Sequence, residues 1–329
     1  MSGGFIAYHL RHNKSIDREI FLESLNIMNH LLPIKDYTYV GFGGPMLEDF
    51  RLIHSRTLIS SLISLEEDDS ILTRQKYNVP YNCIECYLKS SSDFILEYDF
   101  SNPTITWLDY ASPKKIKSDL DDIQLLSGKI NNNDILKVTF PINPSSYYQR
   151  RVGEDVVTYK EKFLSALKSK LSRDYLNFNL EIKDSDMSEK NLTNKLSEII
   201  INAFKSALER GLTDRIDDLK FLPVSINKYN DGSHTMLTIM GIFKLPDESI
   251  TFYEDCGFDE WSYKSNEWGI IHDISIPTLT IKEKINLDSK LPDKDAYEAA
   301  ANEFALKDDQ RENYFKYYRL YPNFQRIMV

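Results

Sequence analysis

The stretch Tyr37-Thr38-Tyr39-Val40-Gly41-Phe42-Gly43-Gly44-Pro45-Met46-Leu47-Glu48-Asp49-Phe50 decides how the rest of the chain is read. Its first four residues are β-rich, and the run ends abruptly in three glycines within four positions. Pro45 suits the first position of a helix, where its missing N–H is not needed. Met46, Leu47, Phe50 and Ile53 would give that helix an apolar face. The order is strand, glycine turn, helix. Glycine is scarce in this chain, 12 in 329 residues, about half of the roughly 7% of average proteins. Three clustered glycines in such a chain mark a place where the backbone needs freedom or a close approach.

Upstream, Ser15 and Asp17 offer caps for a helix over 15–32. Ile20, Phe21, Leu25 and Met28 recur at helical period before Pro33 stops it. Downstream, Leu58 to Leu65 reads as a buried strand closing on Glu66-Glu67-Asp68, and a short helix follows over 69–77. The next strand, around Cys83-Ile84-Glu85-Cys86-Tyr87-Leu88, ends in Ser90-Ser91-Ser92-Asp93. Thr104 to Tyr110 is a fourth strand, again ending at an acid, Asp109. Ser112 and Pro113 then read as the cap and first residue of a helix with Ile116, Leu120, Ile123 and Leu126 as its stripe and Gly128 as its stop. Asp134 to Phe140 is a fifth strand, closed by Pro141-Ile142-Asn143-Pro144. Five strands alternating with helices over 37–144 imply an α/β fold with a parallel sheet and helices on both faces.

The alternation then breaks. Two amphipathic helices are expected over 156–172 and 190–210, and a hairpin over 221–243 about Asn230-Asp231-Gly232. The remainder is aromatic and acidic, carries Trp261 and Trp268, and ends in one helix over 295–320 and the tail Tyr321-Pro322-Asn323-Phe324. The expected organisation is an N-terminal helical segment over 1–36 and a core over 37–145 and 216–246. A helical insertion or lid over 146–215 precedes the last hairpin, and an α-rich C-terminal extension covers 247–329.

Composition excludes several classes. With 42% hydrophobic and 12% aromatic residues the chain can bury a core, so disorder is not its state. Three cysteines cannot build a disulfide scaffold. Cys83 and Cys86 on one strand would point to opposite faces, and no histidine sits at finger-like spacing, so buried thiols and no metal are expected. A net charge of −10 opposes nucleic acid. The short basic groups Arg11 to Lys14, Lys114 to Lys117 and Arg150-Arg151 read as solvated surface. No apolar run approaches the roughly 20 residues of a membrane helix. The start lacks the order of a signal peptide, and Ser2 replaces the glycine that myristoylation needs. The expectation is a soluble, cytoplasmic protein.

A parallel sheet binds ligands beyond the carboxyl ends of its strands, where strand order reverses. Four ends carry chemistry here: Gly41 to Gly44, Glu66, Ser91 to Asp93, and Asp109-Tyr110. An acid about 20 residues beyond the glycines suits ribose hydroxyls. A dinucleotide site would want G-x-G-x-x-G, but Met46 stands at the third glycine and Glu48-Asp49 make an acidic helix start. Those acids disfavour a pyrophosphate and suit the sulfonium and amino group of S-adenosylmethionine.

With Tyr39-Val40-Gly41-Phe42-Gly43-Gly44 as motif I, Leu62-Ile63-Ser64-Leu65-Glu66 as the ribose-binding strand and Trp107-Leu108-Asp109-Tyr110 as the fourth strand end, the sequence resembles class I S-adenosylmethionine-dependent methyltransferases with a Rossmann-like core, of the O-methyltransferase kind found in bacteria. The leading Arg11-His12-Asn13-Lys14 and the hairpin, as antiparallel sixth and seventh strands, fit the same resemblance. It implies S-adenosylmethionine as cofactor. Gly41, Gly43 and Gly44 would contact its amino-acid part, Glu66 its ribose, and Ser91, Ser92 or Asp93 its adenine, with Phe42 and Asp109 completing the set. Only Asn143 stands where metal-dependent relatives carry Asp-Asn, so no metal is implied, and Leu108-Asp109-Tyr110-Ala111 lacks the prolines of base-methylating enzymes. A hydroxyl acceptor needs a general base; Asp109 is the candidate, with Tyr110 orienting a small-molecule or nucleoside-type acceptor. His9, Arg11 and His12 would line the site or fix it by surface pairing. Two other readings stand beside this one: a catalytically silent Rossmann-like partner protein, and an enzyme of a different adenosine nucleotide. A homo-oligomer or a protein partner stays open.

Overall fold

The computed structural model describes residues 11–176, 180–213, 215–232 and 234–322, so His9, Asn323 and Phe324 lie outside the described residues. Eight strands form one sheet: β1 Thr38–Gly41, β2 Ser61–Glu66, β3 Ile84–Leu88, β4 Thr104–Asp109, β5 Ile135–Pro141, β6 Lys220–Asp231, β7 His234–Lys244 and β8 His272–Ile274. Their order is β3-β2-β1-β4-β5-β7-β6-β8. β1 to β5 pair parallel, β7 runs antiparallel to both β5 and β6, and β8 is parallel to β6. Strand order therefore reverses between β1 and β4, as a mostly parallel α/β sheet with a last hairpin requires.

Alternation along the strands sorts side chains between two helical layers. Tyr39, Ile105 and Trp107 face α1 (His12–Met28) and α2 (Glu48–Thr57), with Phe21, Leu25 and Phe50. Val40, Leu108 and Val138 face the opposite layer, which includes α5 (Ile116–Ser127) and two later helices. β5 is buried at every position, because it lies mid-sheet under helices on both faces.

Between β2 and β3 comes α3 (Asp69–Asn78), and between β3 and β4 comes α4 (Ser91–Glu97). After β5 the chain makes α6 (Pro144–Tyr147), α7 (Val156–Tyr175) and α8 (Glu189–Leu212). The stripe Leu192, Leu196, Ile199, Ala203 and Phe204 of α8 is buried in the same core as Phe140, Leu237 and Ile239 of the sheet. Phe163, Leu167 and Leu171 of α7 join it there, so both helices are part of the layered core.

Several boundaries differ from the sequence expectation. α2 begins at Glu48, not Pro45, because Leu47 adopts a left-handed φ of 53° and its N–H closes a loop on the Gly43 carbonyl at 3.1 Å. α5 begins at Ile116. Ser112 to Lys115 instead form a turn closed by the Lys115 N–H on the Ser112 carbonyl at 3.1 Å, which suits the fixed φ of Pro113 equally well. The expected helix over 295–320 is broken at Ala305, φ 52°, into Lys294–Asn302 and Asp308–Tyr317. Cys83 lies before β3 begins, so both thiols pack against the same apolar cluster and both are half-buried rather than buried. β8 has three residues, too few to show a period. The C-terminal extension grips α1: Asn13 accepts the Ile276 N–H at 3.1 Å, and the Trp261 indole donates to Glu23 at 3.1 Å.

Candidate functional site

The three glycines end β1 for three different physical reasons. A Cβ on Gly41 would stand 3.1 Å from the Trp107 carbonyl of β4. A Cβ on Gly43 would stand 2.3 Å from Leu47 Cδ2 and 2.4 Å from Ser64 Oγ, so any other residue there must displace one or both of these side chains. Gly44 has φ 52°, the left-handed region that glycine tolerates. The Gly43 N–H donates to Ser64 Oγ at 3.2 Å, and Ser64 donates to Gln75 at 3.1 Å, so the turn is tied to β2 and α3. Part of the glycine requirement is therefore internal packing. Phe42, half-buried, lays its ring 5.8 Å from that of Tyr110.

Glu66 closes β2 on the neighbouring strand and is 9% exposed. Its Oε1 accepts the N–H of Glu67 at 3.0 Å and of Asp68 at 3.1 Å, while Oε2 makes no hydrogen bond among the described residues. Burial raises the carboxyl above the ordinary glutamate range, and the two N–H bonds act against that shift. Asp68 has a separate task, capping α3 through the N–H groups of Ser70 and Ile71.

The run after β3 is a helix start. Ser90 caps α4 by accepting the Asp93 N–H at 3.0 Å, and the Asp93 carboxylate accepts the Ser90 hydroxyl at 2.7 Å. Ser91 and Ser92 turn their hydroxyls to Asp122 of α5, and Tyr110 donates to the same carboxylate at 3.2 Å. Asp93 is exposed and occupied by the cap, whereas Ser91 and Ser92 join the end of β4.

Asp109 and Tyr110 point to opposite faces, as adjacent residues of an extended chain do. Tyr110 is buried against Phe42 and Phe140, and burial beside Asp122 raises its hydroxyl well above the ordinary range. Asp109 keeps 23% exposure at the rim of the strand ends and pairs with Lys14 of α1 at 2.7 Å. Burial alone would raise its carboxyl; Lys14, Arg18 and Lys137 together reverse that and hold it below the ordinary aspartate value. The structure thus separates the two residues expected to share the acceptor.

Around Asp109 lies a charge network that sequence reasoning missed. Lys137 of β5 and Asp17 of α1 pair at 2.7 Å with 1% and 0% exposure, and Asn227 of β6 donates to Asp17 at 2.8 Å. The Lys137 ammonium sits 4.0 Å from the Trp107 ring centre. Arg18 pairs with Asp49, and its guanidinium lies 4.0 Å from Glu48. The acidic start of α2 is consequently balanced by Arg18, which weakens the inference from Glu48 and Asp49 toward a cationic ligand. Arg11 pairs with Asp231 at the hairpin tip at 3.0 Å. Signals for this network were present: a lone lysine inside the apolar run Ile135-Leu136-Lys137-Val138, and Lys14, Asp17 and Arg18 on one side of α1.

Two clefts of about 340 and 420 Å³ lie elsewhere, among Tyr175, Lys183 and Glu198 and between α5 and α8. Neither is lined by a strand end. Among the described residues no cluster of histidine, cysteine and acids could hold a metal ion, and no helix is long and apolar enough to cross a membrane.

Solved structures match the chain at low sequence identity. The chain is 13% identical to Trm1 from Pyrococcus horikoshii, solved with S-adenosyl-L-methionine, over 70% of this chain and 54% of that one, at a TM-score of 0.42. It is 9% identical to an S-adenosylmethionine-dependent methyltransferase from Mesorhizobium loti, over 67% of this chain and 97% of that one, at a TM-score of 0.38. No curated protein matches the chain. A family model described as "Putative O-methyltransferase" matches residues 6–329. That match spans the turn, the four strand ends and the C-terminal extension alike, and by it the chain belongs to this methyltransferase family.

Proposed function

We propose that the protein binds S-adenosylmethionine at the ends of β1, β2, β3 and β4 and transfers its methyl group to a hydroxyl of a small or nucleoside-type acceptor. The observation that carries the reading is Glu66. Its Oε1 is spent on two backbone N–H groups while Oε2 makes no hydrogen bond among the described residues, an arrangement suited to a carboxylate that accepts from ribose hydroxyls. Gly41, Phe42, Gly43 and Gly44 form the adjoining turn, and Ser91 and Ser92 complete the third end. When bound, S-adenosylmethionine supplies a methyl group activated by its sulfonium.

The remaining work falls to this chain's residues. Asp109, ionised and held by Lys14, is the group at the rim able to accept the acceptor's hydroxyl proton. A carboxylate held below its ordinary pKa is a weak base, so fixing the hydroxyl in place is the larger part of its contribution. Tyr110 belongs to the β3 side through Asp122. The Lys14–Asp109 pair also favours a second reading, a catalytically silent binding protein in which that pair is structural.

Thermal unfolding with S-adenosylmethionine, S-adenosylhomocysteine, NAD and ATP tests the proposal. Stabilisation by the two adenosyl ligands alone is expected, and Glu66→Ala should weaken them by about 1.5–3 kcal/mol. Absence of stabilisation by either sinks the cofactor reading. Binding without turnover on any hydroxylated acceptor leaves the silent protein.

A further inference from the structure

The sheet has two edges, and they are finished differently. At one edge β8 has three residues, and its Asp273 pairs with Lys228 of β6 at 3.0 Å. At the other edge β3 is an unbroken strand of five residues with no proline or bulge. Leu62 of β2 gives its N–H to the Cys83 carbonyl at 3.2 Å, and Lys89 gives its N–H to the Glu66 carbonyl at 3.0 Å. Backbone groups alternate sides along a strand. Glu85 and Tyr87 therefore turn theirs to β2, and Cys86 and Leu88 turn theirs outward. Among the described residues the outward N–H groups of Cys86 and Leu88 have no hydrogen-bond partner. Tyr87 is 40% and Leu88 50% exposed, so the edge is open. An open edge of this kind is a template for another strand.

Glu85, Tyr87 and Lys89 share one face of that edge, the face of α4, where Lys89 pairs with Glu97. The row reads acid, aromatic, base. We propose that β3 pairs antiparallel with β3 of a second copy of this chain, about a two-fold axis at Tyr87. The axis reverses the row onto its own complement, so each Glu85 stands opposite the partner's Lys89. Opposite charges directly across a strand pair favour that register. Cys86 and Leu88 exchange backbone hydrogen bonds across the junction, and one sheet runs through both copies. A register one residue away sets outward groups against inward ones and makes no ladder. A register centred on Cys86 makes a ladder but sets Glu85 against Tyr87 and Lys89 against Cys83, leaving the charges unmatched. Within one copy Glu85 accepts the Tyr87 hydroxyl and Lys89 holds Glu97. Both contacts are exposed and give way at little cost. The pairing is independent of the adenosyl-ligand reading.

Sedimentation equilibrium of the full chain over a range of concentrations tests the pairing. The wild type should show a monomer–dimer equilibrium. Glu85→Lys sets lysine against lysine at two places and should raise the dissociation constant by about tenfold. Lys89→Glu sets acid against acid and should do the same. The double variant Glu85→Lys with Lys89→Glu restores both opposite-charge pairs, so its constant should return to within about threefold of the wild type. That recovery is the readout, because a damaged edge would lose pairing in all three variants. Tyr87→Cys should also link two copies by a disulfide under mild oxidation, since a pair on the axis has Cα atoms about 4.5 Å apart. A wild type that stays monomeric at its highest attainable concentration overturns the proposal and leaves the edge to a different chain. A dimer that neither single substitution weakens overturns it as well, because its interface lies elsewhere. A double variant no tighter than the single ones overturns the register about Tyr87.

Discussion

The two faces of the sheet meet at the end of β4, and they hold a carboxylate there in opposite ways. On the α1 face, Asp109 and Asp17 are each balanced by a lysine, Lys14 and Lys137. On the α5 face, Asp122 is satisfied by neutral hydroxyls, with a second buried acid, Asp119, beside it. Charge pairing between α1 and the sheet locks a helix in place, because a buried ion left alone is very costly. Hydroxyl pairing fixes instead the direction in which those protons point. One face supplies mechanical position and the other supplies polarity.

The largest effect should come from unbalancing the charged face. Asp17→Ala leaves Lys137 buried without its anion and should cost about 3–5 kcal/mol in chemical denaturation. Adding Lys137→Met should recover most of that loss. A single substitution costing under about 1 kcal/mol would show that this pair does not hold α1 to the sheet.

Next comes the turn between the faces. Gly43→Ala forces a methyl into Leu47 and Ser64 and should cost about 1–3 kcal/mol. Stabilisation by S-adenosylhomocysteine should fall with it. Unchanged melting would mean that the loop to Leu47 yields freely.

The two faces should also respond to pH with opposite sign. Asp109 lies below its ordinary value, so its stabilisation is full above that value and is lost as pH falls through the lower folded value. Lys14 lies above its own, so the pair persists until pH rises past the raised value. Asp119 is pushed up to about 8 by burial and by Asp122, with Glu67 adding to the shift and Lys115 opposing it. Its neutral form favours the fold, so stability is full at acidic pH and declines as pH rises toward about 8. Asp119→Asn should remove that decline and be the more stable protein at high pH, read from urea midpoints at acidic and alkaline pH. Parallel curves for wild type and variant would place the titration elsewhere. The smallest effect belongs to the exposed pair Lys117–Asp121, where Lys117→Ala should change stability by less than about 0.5 kcal/mol.

Much of the sheet could be read along the chain because its strands are short apolar runs punctuated by Gly41, Glu66, Ser90 and Asp109. Each such run has one local pattern, and the parallel order follows from the helices between them. β8 escaped because three residues carry no period, and α2 and α5 start late because turns at Leu47 and Ser112 compete with the helix for the same signals. The strand-end residues were legible by position but not by partner. Ser91 and Ser92 gave no hint of Asp122, which lies some 30 residues later on another helix. Neither did Asp109 reveal Lys14, which precedes it by 95 residues.

What this chain's sequence determined alone is the order of elements and the glycine turn, because both depend on interactions within a few residues. It also determined that a lysine within β5 must find an anion, since burial of a bare charge is excluded. Which anion, which hydroxyl faces which carboxylate, and which of two adjacent residues faces which layer were decided only by tertiary structure. Those pairings join segments distant along the chain, and their energies depend on burial and distance, which exist only once the layers have packed.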